Sequence, residues 1–158
     1  MAKSPADGYT IVIGQTSNLA INPTLYAKMP YDSQKDLAPI VLLANAPLVM
    51  VTGMNTPYKT LADAVNTAKA KPGAMNFASP GNGTVAHLTG EQFQKAAGVK
   101  FQHVPYKGRQ FAIPDLVGGQ IQLMFDNMPS ALPMAKEGKI RALAQTTSKR
   151  SPAAPDVP

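Results

Sequence analysis

The sequence predicts an α/β fold, a sheet with helices on both faces. Three observations predict it. Short apolar or alternating runs of strand length recur between segments of helical period. The helical segments end on glycine or proline, at Lys71-Pro72-Gly73, Gly98 and Gly138. The composition is that of a packed domain, with 44% hydrophobic and 15% charged residues in 158.

The elements follow in order. Residues 8–14, GYTIVIG, read as a short buried strand. Residues 15–30 read as a polar loop with a helical turn around Asn18 and Asn22. Residues 38–51 are apolar but interrupted by Pro39 and Pro47, which gives one bent strand or two consecutive ones. Thr60 caps the clearest helix, with Asp63 completing a capping box and Leu61, Ala64, Val65 and Ala68 on one face. Residues 74–79 form a strand, and residues 84–97 a helix ended by Gly98. Residues 99–104 alternate, with Val99, Phe101 and His103 on one side. Residues 109–117 are weakly helical and spoiled by Pro114. Residues 120–126 form a strand with Ile121, Leu123 and Phe125 on one face. A helix over 130–137 and a strand over 140–146 precede an irregular tail.

Composition excludes several chemistries. The chain has no cysteine, so disulfides and thiolate catalysis are ruled out. Its two histidines, His87 and His103, leave little for a histidine-rich metal site. No apolar run approaches the roughly 20 residues of a membrane span. The net charge of +6 is spread along the chain, and Lys149–Arg150 is the one adjacent basic pair. With no nucleic-acid motif, this reads as a solvated basic surface. No G-x-S-x-G elbow, H-E-x-x-H helix or usefully paired acids are present, so an enzyme is not expected, and no cofactor.

The segment NFASPGNGTVAHLTGE, from Asn76 to Glu91, carries the chemistry. A strand enters a glycine-rich turn and leaves as a helix, an arrangement that presents backbone N–H groups and the positive end of a helix dipole to an anion. A phosphate loop would need Lys followed by Ser or Thr after its last glycine, but Gly83 is followed by Thr84 and Val85. The relaxed dinucleotide fingerprint fits Gly81, Gly83 and Ala86, but the acid expected about 20 residues on is absent. Two readings stay open. One is a small-carboxylate loop using Ser79, the N–H groups of Gly81, Asn82, Gly83 and Thr84, and the Thr84 hydroxyl. The other is a glycine turn capped by Thr84 with no ligand. His87 lies in the first helical turn, where packing is the simpler role; His103 reads as strand packing.

Two further loops fall at C-terminal strand ends, where open α/β sheets bind ligands. VPYKG offers Tyr106 and Lys107, and FDNMPS offers Asp126 and Asn127. Singly, each residue has a packing, solvated or local-turn role; together on one sheet edge they outline a cleft.

ADGYTIVIG, INPTLYAKMPYD, NFASPGNGTVAHLTGE, HVPYKG, LVGGQIQLMFDNMPSALP and GKIRALAQTTSKRSPAAPDVP together, in this order, resemble the Bug family. These are periplasmic substrate-binding proteins of tripartite tricarboxylate transporters. The resemblance implies a periplasmic-binding-protein type II-like fold, with two α/β lobes joined by crossing strands and a small carboxylate clamped between them. It assigns residues 1–39 to a remnant of the first lobe and 40–51 to a crossing strand. Residues 52–138 become the second lobe, and 139–158 the returning strand and tail. It implies that the Ser79–Thr84 loop holds one carboxylate end, with the loops at Tyr106 and Asp126–Asn127 lining the pocket; His87, beside the glycine loop, is counted among the candidate ligand-binding residues. Thr16, Ser17 and Asn22 match a loop given by the first lobe.

The sequence departs from the family in lacking a secretory signal, the opening strand with its glycine-rich loop, and the C-terminal part of the first lobe. About the middle half is present. As written, the chain is expected in the cytoplasm, although the resemblance implies the periplasm and membrane transporter subunits as partners. Arg109-Gln110-Phe111 stands where the family usually has small residues, so Arg109 either fills the pocket or adds a charge to it. The leading function is a carboxylate or dicarboxylate receptor fragment. The alternative is a truncated lobe of little affinity that persists as a self-associating or protein-interaction module, with a homo-oligomer expected.

Overall fold

The computed structural model describes residues 2–158. They divide into two compact units, one ending at Ala44 and the other spanning Asn45–Pro158.

The first unit is built on a π-helical turn, Ser17–Ile21, that runs into a short helix α1, Asn22–Leu25. Pro23 sits in its first turn, where a missing N–H costs nothing. Tyr31 Oη donates to the Asn18 carbonyl at 2.7 Å and Ser33 Oγ to that of Leu19 at 2.8 Å, tying the turn to the chain that follows. The helical turn expected around Asn18 and Asn22 is therefore present.

The strand expected over residues 8–14 is not. GYTIVIG runs without regular structure, and Tyr9 and Ile13 stand 92% and 75% exposed. A strand exists only through its ladder partners, and no described strand pairs with this segment. The strand expected over residues 38–51 is likewise shortened to β1, Leu48–Gly53. Proline at 47 cannot donate to a ladder, and Ile40–Leu43 stay exposed.

The second unit is a five-stranded sheet in the order β3-β2-β4-β1-β5. Its other strands are β2 (Asn76–Ser79), β3 (Gln102–Pro105), β4 (Leu123–Asn127) and β5 (Ile140–Gln145). β2 runs parallel to both β3 and β4. β1 lies antiparallel between β4 and β5.

Side-chain alternation divides the core into two layers. On one face Met50, Phe77, Leu123, Phe125 and Leu143 pack against α2 (Leu61–Ala70) and α3 (Val85–Ala97). On the other, Val49, Val51, Ala78, Met124 and Ile140 pack against α4 (Arg109–Gly118) and α5 (Met128–Lys136). This is the α/β sheet with helices on both faces that the sequence predicts. Ile121 is a correction: it lies before β4 and packs in the α4/α5 layer, not beside Leu123 and Phe125.

The helix boundaries follow the sequence signals. Thr60 and Asp63 form the reciprocal capping box, and α2 stops before Lys71-Pro72-Gly73. Gly98 closes α3 at φ +62°. The helix α4 continues through Pro114, which was expected to spoil it. Buried Ala112 and Leu116 anchor the helix to the sheet on both sides of the proline and outweigh the lost hydrogen bond.

Candidate ligand-binding edge of the sheet

β3, β2 and β4 are adjacent and parallel, so their C-terminal ends open on one edge of the sheet. A helix starts from each: α3 after Thr84, α4 after Gly108 and α5 after Asn127. Three helix N-termini thus leave neighbouring strands, each with a partial positive charge at its start. This is the edge where open α/β sheets receive ligands.

The central loop is built by its glycines. Gly81 at φ +151° and Gly83 at φ +75° occupy backbone that side chains rarely adopt. A Cβ on Gly81 would also press on the Tyr106 carbonyl at 3.3 Å. The turn is fixed by its own polar groups. Fully buried Ser79 accepts from Gly81 N–H at 3.2 Å, and its Oγ lies 3.1 Å from the Gly81 carbonyl. Thr84 Oγ1 donates to that carbonyl at 2.7 Å and accepts from His87 N–H at 3.3 Å, which makes Thr84 the cap of α3. Gly83 N–H donates to His87 Nδ1 at 3.3 Å. Several loop N–H groups are therefore spent within the loop, and Asn82 stands exposed at its apex.

Behind the loop lies a feature that sequence reasoning missed. The β2–β3 register sets Phe77 opposite His103, and their rings stack at 4.7 Å. His103 stacks in turn on His87 at 4.1 Å. His103 Nε2 lies 2.7 Å from Ser79 Oγ, so a residue read as strand packing holds the serine at the base of the loop. The contact depends on strand register, for which the sequence around His103 carries no signal.

Burial, and next the neighbouring His87 ring, lower the His103 pKa from 6.5 to about 4. Between those values the unfolded chain binds more protons than the folded one, so stability is full above about pH 6.5 and falls as pH drops toward 4. After discounting for solvent screening, the effect is on the order of 1 kcal/mol. Urea unfolding at pH 7 and at pH 4.5 measures it. The expected result is a loss of stability that His103→Phe, which keeps the ring stack, largely removes.

The flanking loops place the other predicted residues. Tyr106 N–H donates to the Ser79 carbonyl at 3.0 Å, joining the two loops. Its hydroxyl turns to α4 and donates to Asp115 Oδ2 at 2.6 Å. Burial, with Asp115 adding to it, pushes the phenol up to about 12. The phenol is thus held against α4. Lys107 is exposed.

Asp126 is buried at 2% exposure, and both its oxygens accept from Arg109 Nε, at 2.9 and 2.7 Å. Asp126 Oδ1 also accepts from Asn127 N–H at 2.9 Å. Arg109 Nη2 donates to the Ser130 carbonyl at 3.0 Å, with Met134 Sδ at 3.3 Å. Asn127, the residue before α5, is exposed.

Thr16, Ser17 and Asn22 belong to the first unit. Thr16 precedes the π-helical turn, Ser17 begins it and Asn22 begins α1. The Asn22 Oδ1 atom is buried with no hydrogen-bond partner among the described residues. An orphaned acceptor asks for a donor, which an ionised carboxylate does not supply. Among the described residues no cluster of histidine, aspartate and glutamate could hold a metal ion, and no helix is long and apolar enough to cross a membrane.

Comparison with known proteins is consistent with this geometry. The family model of the tripartite tricarboxylate transporter family receptor matches residues 1–158. Protein BugT of Bordetella pertussis is 39% identical, over 99% of this chain and 48% of its own length. A structure described as a periplasmic transporter shares 40% identity at a TM-score of 0.92, covering 99% of this chain and 53% of that one. R. palustris Rpa4515, solved with adipate, shares 36% identity at a TM-score of 0.94, covering 99% of this chain and 52% of that one. The chain spans about half the length of the curated relatives it matches, at 47% and 48% for two of them. A family of transporter receptors agrees with the absence of catalytic motifs in the sequence. The chain belongs to the tripartite tricarboxylate transporter receptor family.

Proposed function

We propose that the chain carries one wall of a carboxylate-binding site in a solute receptor of a tripartite tricarboxylate transporter-type uptake system, acting in the periplasm with membrane transporter subunits. The observation that carries this reading is the edge itself, where three helices start from neighbouring parallel strand ends, one of them from a glycine turn. Ser79, Gly81, Asn82, Gly83 and Thr84 would receive one carboxylate end, with His87 fixing the turn and Tyr106, Asp126 and Asn127 flanking it. Adipate in a relative of 36% identity supports a dicarboxylate as the ligand class. In this reading residues 52–138 form the second lobe, and β1 and β5 belong to the crossing strands. The roles of Thr16, Ser17 and Asn22 rest on the resemblance alone.

A clamp gains affinity by closing two walls on a ligand and excluding water. Residues 1–158 taken alone supply one wall in this reading, so a sample of these residues would leave several hydrogen bonds of roughly 0.5–1.5 kcal/mol each unmade. Binding is expected to be weaker than micromolar. Isothermal titration with C4 to C6 dicarboxylates, on a sample of known molar mass, measures it. A micromolar constant for a monomer would contradict the single-wall account, and heat unchanged in Thr84→Val would contradict the role given to the loop.

One observation favours a second reading, self-association with another copy of the chain. Ile11, Ile13, Ile40, Val41, Leu42 and Leu43 are all exposed, more apolar surface than a short segment usually leaves in water. Light scattering at high micromolar concentration tests it: a dimer mass supports the reading and a monomer mass retires it.

A further inference from the structure

We infer that Arg109 is a specificity-determining residue: by occupying both oxygens of Asp126, it makes the edge select carboxylates that lack an amino group over amino acids. The inference rests on the carboxylate-wall reading above.

Asp126 stands at the C-terminal end of β4, one strand across from the turn that follows Ser79. By the β2–β4 register, Ala78 pairs with Met124, so Asp126 is level with the start of the glycine loop. A bare carboxylate there would have two consequences. It would repel an anionic ligand held by the loop, and it would attract the ammonium group of an amino acid. Arg109 removes both. Its Nε bridges Oδ1 and Oδ2, and Oδ1 is further engaged by Asn127 N–H. The pair carries no net charge. The guanidinium is in turn held by the Ser130 carbonyl and Met134 Sδ, which fixes it over Asp126 instead of leaving it to swing toward a ligand. Arg109 is 30% exposed and Asp126 2%, so the arginine forms the lid of the pair. A shorter residue at 109 would uncover the acid and hand the ammonium group a counter-ion.

The test compares ligands that differ by one amino group, adipate with 2-aminoadipate and succinate with aspartate, by amide chemical-shift titration, which reads millimolar binding. The wild-type chain is expected to favour the plain dicarboxylate by about tenfold or more, and Arg109→Ala to narrow that preference to within about threefold. Arg109→Gln, which retains a donor over Asp126, serves if the alanine variant does not fold. A ligand-independent readout accompanies it: the Arg109 Nε–H proton should exchange slowly in the wild type and rapidly in Asp126→Asn.

Several outcomes overturn the inference. One is loop binding with an unchanged preference in the variants. Another is equal loss of both ligand types, which would make Arg109 a direct carboxylate ligand. A third is an unprotected Nε–H in the wild type. Loop amides that shift with no ligand at all would instead sink the underlying carboxylate-wall reading, and the selectivity with it.

Discussion

Replacing Phe77 by alanine is expected to lower stability by about 3–5 kcal/mol. Phe77 is fully buried at the centre of the α2/α3 layer. Its ring meets Phe101 at 6.3 Å and His103 at 4.7 Å, and the space over it is so tight that a Cβ on Gly90 would fall 2.3 Å from its ring. Truncation opens a cavity bordered by helix backbone, which relaxes little. The same change should loosen the glycine loop at the candidate edge, because Phe77 is the floor on which His103 and His87 stack. Denaturant unfolding followed by circular dichroism measures the first effect. The amide shifts of Gly81 and Gly83 report the second. A loss below about 1 kcal/mol would mean that the layer is not packed as described.

Gly53→Val is expected to cost about 3 kcal/mol, the upper end of the usual overpacking range. Gly53 ends β1 and pairs with Ile140 of β5. A Cβ there would lie 2.3 Å from the Leu116 carbonyl oxygen, a backbone atom of α4 that cannot rotate away. Either α4 or the end of β1 must move, and each is fastened elsewhere. Thr52 Oγ1 donates to the Gln122 carbonyl at 2.7 Å, and Leu116 is fully buried. A shift in unfolding midpoint corresponding to less than about 0.5 kcal/mol would show that α4 and β1 are not held this closely.

What the sequence revealed and what it hid divide along a physical line. Local chemistry was legible. The Thr60–Asp63 box, the Thr84 cap, the stop at Gly98 and the strand–glycine turn–helix order each depend on residues a few positions apart. Long-range pairing was not. GYTIVIG is apolar enough for a strand, but apolarity does not say whether a partner strand lies beside it. His103 reaches Ser79 only because β2 and β3 pair in one register. Arg109 stood out as a bulky residue where small ones were expected. That it covers Asp126 depends on α4 and β4 lying side by side. Ile121 followed the alternation of β4 on paper but lies outside the strand, where alternation no longer assigns its face.

The central claim is that the glycine loop between β2 and α3 receives a carboxylate. Titrating isotopically labelled chain with adipate, at constant ionic strength against a chloride control, tests it most directly. The account predicts saturable shifts concentrated in the amides from Gly81 to His87, which Thr84→Val removes while the fold remains intact. Shifts scattered over the surface, matched by chloride, or unaffected by Thr84→Val would contradict it.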